Sequence, residues 1–317
     1  MGVNGLTNVE ELIKAALYGL VEGITEWLPI SSTGHLLLLD QFVKLDVSAD
    51  FWDMFLVVIQ LGAILAVCVL FFRQLNPFSP SKNSYERRQT WTLWGKIIVA
   101  CLPAALVGIP LDDWMEEHLG SPFVIAVALI VYGVAFIVIE NAREARSAQL
   151  SAQQARGKHF KTGSATDGEG SSDPSARVRT IEELDWGTAI GIGLFQVLSL
   201  VPGTSRSGST IIGGLLLGCA RTVAAEFTFY LAIPVMFGAS ALRLVKYFLK
   251  GNSFVASEFL LLGVGSGVAF VVSLLAINFL MGFVRKHNFK PFGWYRIVLG
   301  IVVLVYFGLQ LLGVHIG

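Results

Sequence analysis

An all-α, polytopic membrane protein is what this sequence predicts, built as an inverted-topology repeat with six transmembrane helices and two re-entrant helical hairpins. Six stretches, 53–72, 95–111, 122–140, 227–248, 258–284 and 292–314, are apolar and long enough to cross a bilayer. Two more, 11–43 and 186–218, are apolar but broken midway by Pro29 and by Pro202-Gly203, each beside a cluster of hydroxyls and charges. Sliding the chain along itself by 174 residues aligns Gly19 with Gly193, Leu20 with Leu194, Glu22 with Gln196, Ser31 with Ser205, Thr33 with Ser207 and Gly34 with Gly208. The predicted organisation is a first repeat over 1–141, a link over 142–185 and a second repeat over 186–317.

Composition narrows the function classes. Of 317 residues 54% are hydrophobic and only 15% charged, and 23 Lys and Arg balance 23 Asp and Glu, so no global field points to nucleic acid or another polyanion. Cys68, Cys101 and Cys219 are odd in number, far apart and set in apolar runs, which argues against a disulfide framework or a zinc site. The opening residues Gly2 to Glu11 are polar and slightly acidic, unlike a secretory signal, so the first apolar stretch is read as part of the mature protein.

The elements follow in order. Stretch 11–43 is a hairpin that turns at Pro29, and non-helical backbone at membrane depth is tolerated only where protein or a wet cavity satisfies it. After span 53–72, residues 73–96 carry Arg73, Lys82, Arg87, Arg88 and Lys96 and face the cytoplasm. Span 95–111 leads to an acidic loop, Asp112 to Gly120, on the outside, and span 122–140 returns. The link 142–185 is rich in Ser, Gln, Gly and charge and reads as disordered and cytoplasmic. The second hairpin, 186–218, turns at Pro202-Gly203. Spans 227–248, 258–284 and 292–314 complete the chain, with the basic loop 284–291 inside and both termini outside. Arg243, Lys246 and Lys250 fall on the wrong side of this arrangement. Broken helices of inverted repeats meet near the midplane around substrate, which would join the two polar clusters in one site.

Within those clusters, Glu22 and Glu26 lie one helical turn apart and need a cation, an arginine or a shared proton to coexist, as a metal-binding or acid–base pair or at an exposed hairpin mouth. His35 ends the run Ser31-Ser32-Thr33-Gly34-His35 and can activate a nearby hydroxyl if the turn folds back. Arg206, always charged within an apolar repeat, must meet Glu26 or an anionic ligand. Gly203, Thr204, Ser205, Ser207 and Thr210, with Ser31 and Thr33 from the first half, offer amides and hydroxyls suited to phosphate.

Glu22-Gly-Ile-Thr-Glu26, Pro29-Ile-Ser-Ser-Thr-Gly-His35, Val57-Val-Ile-Gln-Leu-Gly-Ala-Ile-Leu-Ala66 and Pro202-Gly-Thr-Ser-Arg-Ser-Gly-Ser-Thr210 together resemble the undecaprenyl-diphosphate phosphatases, the bacitracin-resistance family of bacterial inner-membrane enzymes, over nearly the whole chain. The resemblance implies hydrolysis of a C55 prenyl diphosphate to the monophosphate carrier of peptidoglycan synthesis, at the outer face, with a divalent cation such as Mg2+ or Ca2+. It places catalysis on Glu22, Glu26, Ser32, His35 and Arg206. Glu22 and Glu26 are the candidate metal ligands. Ser32 is the expected nucleophile with His35 as its base, while attack by water or by His35 itself uses the same residues. The expected partners are the prenyl diphosphate lipid, the bilayer and a second copy in a homodimer, with no nucleic acid. The alternative function is a transporter or flippase for a prenyl phosphate lipid in the same pocket.

Overall fold

The computed structural model describes residues 9–157 and 174–313. These residues form helices with no strand; one isolated parallel bridge joins Val178 to Cys219. In chain order the helices are α1 Val9–Thr25, α2 Ser32–Phe42, α3 Ala49–Leu70, α4 Phe72–Leu75, α5 Ser84–Leu119, α6 Pro122–Gly157, α7 Trp186–Val197, α8 Arg206–Leu216, α9 Arg221–Leu249, α10 Ala256–Val284 and α11 Lys290–Leu311. A 3-10 turn, Leu198–Leu200, extends α7. By length and composition α3, α5, α6, α9, α10 and α11 are the six helices able to cross a membrane.

Both interrupted stretches fold as helix, break and short helix: α1 and α2 on either side of residues 26–31, α7 and α8 on either side of 201–205. The 174-residue offset recurs in detail. Ser31 and Ser205, each immediately before its short helix, are the two non-glycine residues of positive φ among those described, at 74° and 69°. Helix pairings exchange in the same way: α1 packs on α10 as α7 packs on α5, and α2 meets α11 as α8 meets α6, while α3 packs on α9. Glycine allows two close crossings at corresponding positions. A Cβ on Gly19 would lie 2.2 Å from the Gly265 carbonyl oxygen, and one on the corresponding Gly193 2.1 Å from that of Ala100. Small residues that let helix backbones touch are the usual means of packing where lipid removes the hydrophobic drive.

Two expectations need correction. The stretch after residue 111 is not a loop: α5 continues through Pro103 and Pro110 to Leu119. Helices in membrane proteins tolerate such prolines because neighbouring groups satisfy the freed carbonyls. The link is only partly irregular, since α6 runs on to Gly157 through Ala, Arg, Glu and Gln, all favourable in helices. Its far end is also ordered: Val178 pairs with Cys219, and the Asp185 side chain caps α7 by accepting from the Thr188 amide at 2.7 Å. Residues 158–173 of the predicted link lie outside the described residues. The three cysteines are free, with Cys101 and Cys219 buried. The basic residues on the unexpected side have acidic company: Lys250 pairs with Asp50 at 2.6 Å, and Arg243 and Lys246 line a cavity of about 200 Å³ with Asp50 and Asp53.

The core lies where the two breaks converge on α3 and α9. Trp27, fully buried, packs edge-on against Phe229 at 5.4 Å. On the opposite side Arg221 makes a bidentate pair with the fully buried Glu140, which also accepts from the Phe289 amide, and so ties α9 to α6 and the start of α11.

Candidate active site

Glu26 follows the last turn of α1, its amide still bonded to the Glu22 carbonyl at 3.0 Å. Its carboxylate is held from both halves of the chain. Ser32 Oγ, on the first residue of α2, donates to Oε2 at 2.7 Å, and Arg206 Nη2, on the first residue of α8, donates to Oε1 at 3.1 Å. Both side chains of the Arg206–Glu26 pair are 10% exposed, so little water screens it. Arg206 also donates to the Thr228 carbonyl, and its guanidinium carbon lies 5.9 Å from the Trp27 ring centroid. Five N–H groups are available to a guanidinium, so capacity remains for an anion.

Glu22 is fully buried one turn earlier. Neither carboxylate oxygen has a hydrogen-bond partner, though Glu26 and Arg206 are near enough for their charges to act on it. Its counterpart Gln196 is buried with a similarly unbonded amide. Ser31 Oγ is buried without a partner and does not cap α2, leaving the first-turn amides of that helix uncapped beside Ser32 and the exposed Thr33. Uncapped amides at a helix start favour an anion.

The pairing of His35 with Ser32 is not what forms. His35 Nδ1 lies 2.7 Å from the Ser31 carbonyl and Nε2 2.7 Å from the Tyr295 hydroxyl, so both ring nitrogens are engaged elsewhere. The base in contact with Ser32 is Glu26. The reason is local: Ser31 is in the left-handed region, which turns its carbonyl toward the His35 ring four residues on.

Several expected phosphate ligands instead hold the backbone. Thr204 Oγ1 donates to the carbonyls of Leu198 and Val201, Ser207 Oγ to Glu26 and Leu28, and Thr210 Oγ1 to Arg206. Ser205 Oγ accepts from the Gly208 amide and pairs with Ser207 Oγ at 3.1 Å. Gly203 is buried at φ 91°, where a Cβ would come 2.6 Å from the Ile125 carbonyl oxygen of α6. Short polar side chains in a tight turn find backbone partners before they find a ligand.

Arg296 is the residue the sequence reading missed. It is fully buried on α11 and donates to Pro29 in the first break at 3.3 Å and to Gly203 and Thr204 in the second at 2.8 and 2.9 Å, with Tyr132 under its guanidinium. A lone arginine inside the apolar stretch 292–314 was the available signal. A cavity of about 540 Å³ elsewhere, lined by Arg143, Glu144, Arg221 and Arg285 among others, shares no residue with this cluster.

A family model described as "Bacitracin resistance protein BacA" matches residues 15–302. The chain belongs to the bacitracin resistance protein BacA family. Curated relatives agree over almost their whole length. An undecaprenyl-diphosphatase of Streptococcus thermophilus is 51% identical over 302 residues, covering 95% of each chain. Proteins of the same name from Limosilactobacillus fermentum and Enterococcus faecalis are 50% and 48% identical, covering 94% and 93% of this chain and 98% and 97% of theirs. Glu26 and both side chains bonded to its carboxylate lie inside the segment shared with the BacA family.

Proposed function

We propose that this membrane protein is an undecaprenyl-diphosphatase, as its relatives are named, releasing inorganic phosphate from a long-chain prenyl diphosphate. One observation carries the reading: a serine hydroxyl and an arginine, from sequence-equivalent positions of the two halves, bonded to the two oxygens of one buried carboxylate. Ser32 Oγ attacks the terminal phosphorus as its proton passes to Glu26, and the bond to the bridging oxygen breaks. Glu26 returns the proton to the departing prenyl phosphate. Water then attacks the phosphoserine, giving its proton to Glu26, and Ser32 recovers a proton as phosphate leaves. Arg206 and the amides of α2 stabilise charge on the transferring phosphoryl oxygens, where such donors give most of the rate. His35, one turn along α2, is the second proton carrier.

A divalent cation, Mg2+ or Ca2+, belongs to the same proposal. Among the described residues no three His, Cys, Asp or Glu side chains gather to hold one unaided. The unbonded, buried oxygens of Glu22 suit a hard ion that substrate phosphate and Glu26 would help to ligate, and the ion would neutralise phosphate charge. The reading includes inversion of repeats 1–141 and 186–317, a bacterial plasma membrane, a site open to the exterior and a homodimer. The self-match and the exchanged helix pairings support the inversion, the bacterial relatives and apolar helices the membrane, and the basic loops the orientation.

Phosphate release from a C55 prenyl diphosphate, by purified wild type beside Ser32→Ala, Arg206→Ala and Glu26→Gln, tests it. Release by wild type, lost in all three variants, is expected. Tight lipid binding with no release under any divalent cation would replace the enzyme with a carrier.

A further inference from the structure

His35 is joined to α11 through Tyr295. Its ring lies nearly parallel to that of Tyr295, with centroids 5.5 Å apart and planes 9° from parallel, and Nε2 lies 2.7 Å from the Tyr295 hydroxyl. The other nitrogen faces the Ser31 carbonyl at 2.7 Å. A carbonyl oxygen can only accept, so Nδ1 must carry the ring's proton, and in the neutral imidazole Nε2 is then a bare lone pair. The Tyr295 O–H donates to it. Nε2 is therefore the one ring atom left to exchange a proton or meet a phosphate oxygen, and Tyr295 is its partner.

A phenol can serve both states of such an atom. It donates to neutral Nε2 and, by turning its hydrogen away, accepts from the protonated one, so the contact survives proton uptake. The hydroxyl belongs to a side chain of α11 and so stays near Nε2, as a mobile water would not. Arg296, the next residue on the same helix, is the charge that acts on His35.

We infer that Tyr295 is a positioning residue for the phosphatase reaction: it fixes the His35 ring and holds Nε2 as its proton-exchanging atom, yielding that atom to a phosphate oxygen when substrate binds. Tyr295 is half-exposed, so the phenol has room to swing aside. This rests on the reading of the Glu26 cluster as a diphosphatase site. It adds a residue outside the polar motifs and brings a third element, α11, into the chemistry.

Tyr295→Phe keeps the ring and removes only the hydroxyl, whereas Tyr295→Leu removes both. Full-length protein in detergent is assayed for phosphate release from a C55 prenyl diphosphate, with thermal unfolding measured alongside. Histidine 15N spectra are recorded on the same samples, with His35 assigned by His35→Gln. The expected result for Tyr295→Phe is a kcat lower by about tenfold, KM within about threefold, an unchanged melting temperature and a shifted Nε2 resonance as its hydrogen bond is lost. Wild-type kcat in Tyr295→Phe, or a lowered kcat with an unmoved Nε2 resonance, overturns the inference while leaving the phosphatase intact. A wild type that releases no phosphate overturns the phosphatase reading, and the inference with it.

Discussion

Ser32 donates its hydroxyl proton to Glu26 and not to His35, at 2.7 Å from Oε2. If Glu26 is the base for that hydroxyl, the two act as one unit. Ser32→Ala and Glu26→Gln are each expected to lower kcat by at least about a thousandfold, and the double variant to be little worse than either single one. Steady-state phosphate release measures this. Additive losses would show that the two residues work in separate steps.

Arg206 bonds Glu26 and the Thr228 carbonyl together, a geometry that a single ammonium cannot copy. Arg206→Lys is therefore expected to fold but to lose about a hundredfold in kcat, the usual cost of one transition-state donor. Folding is checked by the melting temperature and activity by phosphate release. A lysine variant of normal rate would mean that charge alone suffices at this position.

Arg296 ties both breaks, so its loss should be felt first in stability. Arg296→Met leaves the carbonyls of Pro29, Gly203 and Thr204 without this donor, each at about 1–3 kcal/mol if no water reaches them, and the variant should melt well below wild type. Arg296→Lys, which can reach one break at a time, should recover part of the melting temperature but little activity. Wild-type melting of the methionine variant would refute the tie.

The glycine crossings predict a contrast within one protein. Gly19→Ala and Gly193→Ala put a methyl group against a neighbouring helix backbone and should each cost about 1–3 kcal/mol. Gly263→Ala and Gly267→Ala on α10 meet nothing within 4 Å and should be neutral or slightly stabilising. Thermal unfolding in one detergent compares all four.

Asp185 offers a pH test outside the membrane-spanning helices. Hydrogen bonds from Thr188, its amide first, hold the Asp185 carboxyl below the ordinary value of 3.8. A carboxyl lowered by folding contributes stability above its unfolded value and loses it as pH falls through the folded one. Asp185→Ala should thus lower stability by about 1 kcal/mol at neutral pH, as loss of a helix cap does. The gap from wild type should close only at pH below 3.8, read from melting curves across pH.

Much of this was legible in the sequence, because it rests on local rules. Apolar length gave the six spanning helices, and Pro29 and Pro202-Gly203 located both breaks. The cost of burying a guanidinium singled out Arg206, which does meet Glu26. Applied evenly, the same rule would also have flagged Arg296. What could not be read is orientation: the positive φ of Ser31 brings its carbonyl to His35, whose other nitrogen meets Tyr295, 260 positions away. Nor does composition show which hydroxyls tie a turn, as those of Thr204, Ser207 and Thr210 do.

The 174-residue correspondence is a likeness of backbones with unlike chemistry. Ser32 stands where Arg206 does, Glu22 where Gln196 does, and His35 where Ser209 does. Two identical halves would present either two hydroxyls or two guanidiniums to the centre, never one of each across a shared carboxylate. The Glu26 cluster therefore depends on the difference between the two segments at these positions as much as on their likeness.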